Sequence, residues 1–314
     1  MKYVAPECMY PSAEMENRGD HLIDAGKVGC IILAGGMGSR WGKGMAKGAI
    51  PMDIFDGETL FDVLCARVKK RAKRAKRALF LAVMTSDATD AATRAYFPNK
   101  NIDGVELSFL TQPSLPFLDD EKKEIEGSSG PSGNGEVFST FCNSGLWQMW
   151  QDRGIEYVHI IAVDNVLADP FDPYACGVLE LQHVDLAVKS VIKESPEQLL
   201  GVLVREGEQV FVMEYSELPE GVDFVGFPAY IGLICVSMQF IQRVSTYEFP
   251  YHLARKKWGN ALAWKRERFI FDCFGCAQGV CVLLYPPEKV YAPLKDKGDV
   301  AAARRGFLSV KDCL

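Results

Sequence analysis

The chain has 314 residues, 48% hydrophobic and 24% charged, and 35 basic against 41 acidic side chains leave a formal charge of −6. That composition belongs to a globular protein with enough apolar residues for a full core, and it excludes collagen, coiled coil and a disordered polyelectrolyte. The acidic balance argues against a general nucleic-acid binder, whose affinity has to come from neutralised phosphates.

Two prolines and several acids occupy the first twenty residues, where a signal peptide needs an apolar stretch. The longest apolar run, 229–236, is far below the ~18 residues of a membrane span. A cytoplasmic protein with no membrane partner is expected. Its ten cysteines are scattered from Cys8 to Cys313 and are read as reduced thiols. The pair Cys273 and Cys276, with Cys281 behind, resembles half a zinc site, but a second pair is missing and only His252 lies within about 30 residues. These thiols are therefore expected to serve as small hydrophobes among Phe269, Ile270, Phe271 and Phe274.

Residues 28–34 (VGCIILA) form an apolar run that stops at glycines, the pattern of a buried strand entering a loop. Helical spacing follows over 58–77 at Leu60, Phe61, Leu64, Cys65 and Val68. A second buried strand is predicted at 79–84, a short helix capped from Thr85, Ser86 or Asp87 through Tyr96, and a third strand at 106–111. The polar, glycine-rich 119–135 reads as a long loop or loose hairpin. A helix at 136–151 and a strand at 157–163 come next, the strand ending on Asp164-Asn165. Further strands are predicted at 185–193, 201–205, 209–215 and 230–236, with helices at 238–246 and 267–278. Alternating strands and helices imply a Rossmann-like α/β fold, a doubly wound and mostly parallel mixed sheet covered on both faces. A single domain, 28–314, follows a lead-in of 1–27.

Residues 67–77 (RVKKRAKRAKR) hold eight basic side chains and no acid, while the rest of the chain has 27 basic against 41 acidic. The run is either a surface for an anion, nucleic acid or acidic partner, or a solvated face at a helix C-terminus, where the dipole favours cations. No aromatic residue interleaves for stacking, which favours the solvated face.

The most informative stretch is Leu33-Ala34-Gly35-Gly36-Met37-Gly38-Ser39-Arg40, with Lys47-Gly48 shortly after it. Adjacent glycines after a buried strand let the backbone approach a phosphate closely. A Walker A loop fails, because Met37 stands where its first glycine is needed and Gly44 follows Lys43. The dinucleotide fingerprint fails as well, because Trp41 stands where a small residue is needed. An arginine and a lysine beside the glycines point to a polyphosphate.

This loop resembles the signature of the eukaryotic-type UDP-sugar pyrophosphorylases, with the UDP-N-acetylhexosamine branch most similar. Further blocks match in the same order: Met84-Thr85-Ser86; Gln112 with Leu115-Pro116; Gly133-Asn134-Gly135; Arg153-Gly154-Ile155; Val163-Asp164-Asn165; Glu214-Tyr215-Ser216-Glu217; Arg268 to Asp272; and Pro293-Leu294-Lys295. The resemblance covers 28–313, the catalytic core without the flanking parts of longer members. It implies the fold of nucleotide-diphospho-sugar transferases and a uridylyltransferase that turns UTP and a sugar 1-phosphate into UDP-sugar and pyrophosphate. N-acetylglucosamine 1-phosphate and glucose 1-phosphate are the sugars in view.

The resemblance also implies roles. Leu33, Ala34, Gly35 and Gly36 would hold the nucleotide phosphates, Gln112 and Gly133 the uracil, and Asn134, Glu214 and Tyr230 the sugar. Arg40, Lys47 and Lys295 would be the catalytic cations, and Asp164 the ligand of Mg²⁺. A phosphate oxygen is already an ionised nucleophile, so alignment and charge neutralisation suffice without a general base. Three positions depart from the family: Ala46 for its Pro, Trp41 for its Leu, and Tyr230 for the Asn that touches the sugar. The alternatives are a UDP-sugar-dependent glycosyltransferase, motivated by Asp164-Asn165 near Asp169, and a degenerate nucleotide-sugar-binding homologue.

Overall fold

The computed structural model describes residues 3–38, 41, 45–51, 58–97, 102–259 and 261–310. The predicted lead-in is structured. A two-residue strand, β1 (Cys8–Met9), precedes a helix, α1 (Ala13–Asp24), which starts at Ser12 because its hydroxyl accepts from the Met15 N–H. Met15, Leu22 and Ile23 form its buried stripe.

The strand β2 (Val28–Leu33) is almost wholly buried, as a continuous apolar run in a parallel sheet should be. Helix α2 (Leu60–Ala72) begins with a capping box, in which Thr59 and Asp62 satisfy each other's backbone N–H groups. Strand β3 (Leu79–Ser86) runs two residues past its predicted end because Thr85 and Ser86 pair with Thr111 and Gln112, so helix α3 (Asp90–Tyr96) starts later than predicted. Strand β4 (Val105–Gln112) follows, and the polar segment after it is clipped by two short strands, β5 (Ser114–Leu115) and β6 (Gly130–Pro131). The helix predicted over 136–151 is two, α4 (Val137–Asn143) and α5 (Leu146–Asp152), because Gly145 between them sits at φ 81°.

After β7 (Tyr157–Ala162) comes a helix absent from the sequence prediction, α6 (Pro173–Gln182), capped by the Asp172 carboxylate with Pro173 in its first turn. It crosses α1 at very short range: a Cβ on Gly19 would lie 1.8 Å from the Pro173 carbonyl oxygen, and one on Gly177 2.0 Å from that of Met15. Strands β8 (Leu186–Ile192), β9 (Val202–Glu206), β10 (Gln209–Met213) and β11 (Pro228–Ser237) lead into helix α7 (Met238–Val244). The helix predicted over 267–278 is corrected to a 3-10 turn at Ile270–Cys276, and ahead of it lies a hairpin absent from the sequence prediction, β12 (His252–Trp258) and β13 (Ala261–Glu267). Strand β14 (Val280–Leu284) and helices α8 (Pro287–Val290) and α9 (Val300–Val310) complete the described chain. Among the described residues no helix is long and apolar enough to cross a membrane.

One ten-stranded sheet has the order β1-β14-β8-β11-β7-β2-β3-β4, with the β9–β10 hairpin attached to β11. Along that path the pairs are parallel except where β11 lies antiparallel between β7 and β8. Two large apolar clusters cover its two faces, so the sheet is doubly wound and mixed, as predicted. From β2 the chain steps outward to β3 and β4, then returns to place β7 on the other side of β2. The carboxyl ends of β2 and β7 therefore flank a topological switch point, where an open α/β sheet leaves a crevice for ligands.

Candidate active site

A cavity of about 580 Å³ opens at that switch point, lined by Leu33, Gly35, Gly36, Lys47, Gln112, Gly133, Asn134, Asp164 and Lys295 among others. Nine of the predicted site residues thus come together from segments spread over the chain. Arg40 lies outside the described residues. Ala34 is buried behind the lining; its N–H donates to the Met84 carbonyl (2.7 Å) and its carbonyl accepts from Thr89 Oγ1 (3.2 Å).

The glycine loop owes its shape to two different demands. Gly35 has no room for a side chain, since a Cβ would stand 1.9 Å from Gln112 Nε2, and its carbonyl is held by Ser86 Oγ at 2.9 Å. A Cβ on Gly36 would meet nothing within 4 Å, so this peptide faces open space. The loop then folds back: the Lys47 N–H donates to the Gly36 carbonyl, and Met37 bridges to Ala46. Lys47 is returned in this way to the glycines that precede it by eleven residues.

Lys47 Nζ lies 2.9 Å from Asp164 Oδ2, with the lysine side chain 13% and the carboxylate 28% exposed. Asp164 follows β7 directly. Lys295 arrives from the far end of the chain because Asn165 fastens that segment to β7. Buried Asn165 donates from Nδ2 to the Val290 carbonyl (2.7 Å) and accepts at Oδ1 from the Leu167 and Ala292 N–H groups (3.1 and 3.0 Å). The Leu294 N–H then donates to the Asp164 carbonyl at 2.8 Å. Sequence matching places Asn165 in a block without a role; its part is positional.

Gln112 Oε1 accepts from the Gly133 N–H at 3.0 Å, which joins the base-side loop to the end of β4. Gly133 has φ 107°, and a Cβ there would stand 2.3 Å from the Arg268 carbonyl oxygen, so only glycine fits. Asn134, also on the lining, accepts at Oδ1 from the Ile270 N–H at 2.9 Å.

Glu214 and Tyr230 do not line this cavity. β11 turns the Tyr230 ring onto Phe271 and Phe274, edge-on with centroids 5.8 Å away in both cases, and burial pushes its phenol far above the ordinary range. Burial also raises the Glu214 pKa, against the lowering effects of the Tyr215 N–H and the Lys295 charge. Glu214 therefore stands within electrostatic reach of the lysine at the cavity rim. Asp169 lines a different cavity and accepts from the Phe171 N–H, so it does not form a metal-binding pair with Asp164. Cys273 is packed inside an apolar cluster, where burial pushes its thiol well up.

Three charged lining residues escaped the sequence reading: Lys256, Lys265 and Glu267, all from the β12–β13 hairpin. Lys265 Nζ is 2.7 Å from Glu267 Oε1. The available signal was the sequence Gly259-Asn260, a dipeptide of the kind that marks a hairpin. Among the described residues no group of three or more His, Cys, Asp or Glu side chains is arranged to hold a metal. Of the two carboxylates on the cavity, Glu267 is paired with Lys265, and Asp164 stands at the end of a central strand beside the glycine loop. That fits Mg²⁺, which commonly takes one or two carboxylates and completes its shell with substrate oxygens and water.

A glycine loop at the carboxyl end of one central strand, a carboxylate at the end of its neighbour and lysines from distant segments define an α/β protein built to handle nucleotide phosphates. The chain belongs to the UTP–glucose-1-phosphate uridylyltransferase family, whose sequence profile matches residues 1–223. It is 32% identical over 314 residues to UDP-N-acetylglucosamine diphosphorylase 1 of Arabidopsis thaliana, covering 88% of this chain and 62% of that protein. A Dictyostelium discoideum protein assigned as UDP-N-acetylglucosamine pyrophosphorylase is 30% identical over 328 residues, 90% of this chain and 67% of its own length. The chain thus spans about two thirds of these relatives. The crystal structure of uridine diphosphate N-acetylglucosamine pyrophosphorylase from Trypanosoma brucei, solved with an inhibitor, superposes with a TM-score of 0.82 at 27% identity, covering 94% of this chain and 67% of that one. A candidate UDP-N-acetylglucosamine pyrophosphorylase of Entamoeba histolytica has the same fold, with a TM-score of 0.86 at 24% identity over 99% of this chain and 89% of that one.

Proposed function

We propose that the protein is a uridylyltransferase that joins UTP to N-acetylglucosamine 1-phosphate, forming UDP-N-acetylglucosamine and pyrophosphate in the cytoplasm with Mg²⁺. The observation that carries this reading is the convergence of Lys47, Asp164 and Lys295 on the glycine loop. An oxygen of the sugar phosphate forms a bond to the α-phosphorus of UTP. The bond from that phosphorus to the bridging oxygen of the β-phosphate breaks, and pyrophosphate leaves with the electron pair. No proton has to be removed from the nucleophile, so the protein's contribution is placement and charge.

Gly35, Gly36 and Lys47 hold the UTP phosphates, and Lys295, with Glu214 close by, holds the sugar phosphate. The resemblance assigns Arg40 to the departing pyrophosphate. Gln112 is suited to read uracil: its carbonyl oxygen is committed to Gly133, and its amide nitrogen is left to donate. Asp164 is the residue that would hold Mg²⁺, which would supply charge neutralisation and a template for phosphate oxygens.

The preference for an N-acetylated sugar is supported by the named activities of the Arabidopsis and Trypanosoma relatives. It is also supported by Tyr230, whose ring is used in packing against Phe271 and Phe274 and does not fill the cavity. The test is pyrophosphate release from UTP, Mg²⁺ and a panel of sugar 1-phosphates. N-acetylglucosamine 1-phosphate should lead glucose 1-phosphate in kcat/KM by at least about tenfold, the worth of one well-placed contact. Release with no sugar sinks the activity, and glucose in first place sinks the sugar assignment. EDTA should stop turnover and added Mg²⁺ restore it.

A further inference from the structure

In the sequence His252 draws notice only as the histidine near Cys273 and Cys276; in the fold its ring stands between two carboxylates. Nε2 lies 3.0 Å from Asp272 Oδ2, and Nδ1 lies 3.3 Å from Glu217 Oε1. A neutral imidazole has one N–H, so both contacts are hydrogen bonds only when each ring nitrogen carries a proton. The ring also lies over Phe269, with centroids 4.6 Å apart and planes inclined by 37°, and makes an edge contact with Phe271 at 5.9 Å. Phe269 lines the catalytic cavity.

Three segments distant in sequence meet at this ring. The first is the β12–β13 hairpin, where His252 is in register with Glu267, itself on the cavity. The second is the 3-10 turn Tyr215–Glu217, in which the Glu217 N–H donates to the Glu214 carbonyl at 2.9 Å. The third is the turn Ile270–Cys276, where the Asp272 N–H donates to the Phe269 carbonyl at 3.2 Å and the Ile270 N–H to Asn134 Oδ1. Burial raises the Asp272 pKa, and the bond from His252 and the Phe269 backbone work against it. Glu214 feels the charges of Lys295, Glu217 and His252 together. The hairpin has a separate hold further along, paired bonds of 2.8 and 2.7 Å between Leu118 and Trp264.

We propose that His252 is a positioning residue for the sugar half of the reaction, holding Phe269 and the Glu214 turn in place through Asp272 and Glu217; this rests on the uridylyltransferase reading above. The ring is not on the cavity lining, so it acts through its partners. Asp272 is the stronger arm, with 15% of its side chain exposed against 53% for Glu217, because solvent screens the second contact far more. The nucleotide half is held by other bonds, Gln112 to Gly133 and Lys47 to Gly36. Loss of the ring is therefore felt by the sugar and not by the nucleotide.

UDP-N-acetylglucosamine and UDP differ by the sugar on the β-phosphate, and calorimetric titration of the whole chain with each reads the two halves apart. His252→Phe keeps an aromatic ring beside Phe269 and removes both bonds. It should weaken UDP-N-acetylglucosamine at least about tenfold, since small misplacements far from the chemistry are costly, while UDP stays within about threefold, as for independent sites. In turnover the KM for N-acetylglucosamine 1-phosphate should rise while that for UTP holds. His252→Gln brings an amide donor to the Nε2 side and keeps Asp272; His252→Asn brings one to the Nδ1 side and keeps Glu217. Gln should recover most of the sugar affinity and Asn little, and both carry the test where the Phe variant does not fold. Unchanged affinities, or equal losses for UDP and UDP-N-acetylglucosamine, would overturn the proposal. Recovery by Asn and not by Gln would overturn the route through Asp272. A wild type that releases no pyrophosphate sinks the reaction alone, because the binding comparison needs no turnover.

Discussion

Replacing Lys47 with alanine separates the catalytic reading of the 580 Å³ cavity from a structural one. In the folded chain the ammonium sits 2.9 Å from Asp164, with 13% and 28% of the two side chains exposed. A part-buried pair whose carboxylate is still 28% exposed contributes about 1–2 kcal/mol to stability, so the variant folds and its Tm falls by only a few degrees. The charge Lys47 brings to phosphate oxygens is a different matter. It is held in place before the reaction by the Lys47 N–H bond to Gly36, in a crevice that substrates close to water. Loss of one such preorganised donor costs about 3–4 kcal/mol of transition-state stabilisation, or 10²- to 10³-fold in kcat. Pyrophosphate release at saturating UTP and N-acetylglucosamine 1-phosphate measures kcat, and thermal unfolding of the same preparation measures the fold. A kcat within threefold of wild type would remove Lys47 from the chemistry. A Tm lowered by more than about 10 °C would mean the pair is a structural joint, because that exceeds what a part-buried pair still reached by solvent supplies.

Asn165→Ala removes three buried hydrogen bonds, to Val290, Leu167 and Ala292, at about 1 kcal/mol each. Unfolding should show a loss of about 3 kcal/mol, and turnover should fall with it as the Lys295 segment loosens; unchanged stability would show that the segment is held elsewhere. Gln112→Ala should reduce discrimination between UTP and CTP by about 10- to 100-fold in kcat/KM, and unaltered selectivity would take the base readout away from this side chain. His159 is buried with Nε2 unpartnered, and burial lowers its pKa from 6.5 to about 4. Its neutral form is the one that fits the fold, while the unfolded chain takes up a proton near its ordinary pKa. The stabilisation is therefore complete above pH 6.5 and declines as pH falls towards 4, by roughly 3 kcal/mol in all. His159→Leu should flatten urea-unfolding stability across that window, and a variant as acid-sensitive as wild type would refute this origin.

The strands that carry the site were legible because each is a short apolar run ending in glycine or Asp-Asn, as buried parallel strands must be. Helix α6 was not, since Pro173, Ala175, Cys176, Gly177, Val178 and Leu179 are all buried and leave no polar face to mark a helical period. The β12–β13 hairpin failed for the opposite reason: its strands are largely solvent-facing and spell RKKW and WKRE, so no alternation of apolar and polar residues announces them. Lys256 and Lys265 were lost with it. Asp164 and Lys295 were found by their resemblance to family blocks, but nothing local in the sequence brings positions 131 residues apart together. That step depends on the side chain of Asn165, whose partners span residues 167 to 292.

The same joint explains how a chain of net charge −6 can serve anionic substrates. Lys47, Lys256, Lys265 and Lys295 meet at one crevice from three separate segments, against Asp164 and Glu267. Of these segments the β12–β13 hairpin is the most basic in itself, and the sheet's switch point brings the others to it. The most basic segment, 67–77, does not line the catalytic cavity; it turns four cations into the cavity that Asp169 lines. Both concentrations of charge rest on the carboxyl end of β7, with Asp164 facing the catalytic cavity and Leu167 held by Arg67 on the other side. Because Asn165 ties these two faces through one buried amide, a change that loosens it should weaken catalysis and the grip on Arg67 together. Substitutions confined to Lys256 or Lys289 should touch only the cavity each one lines.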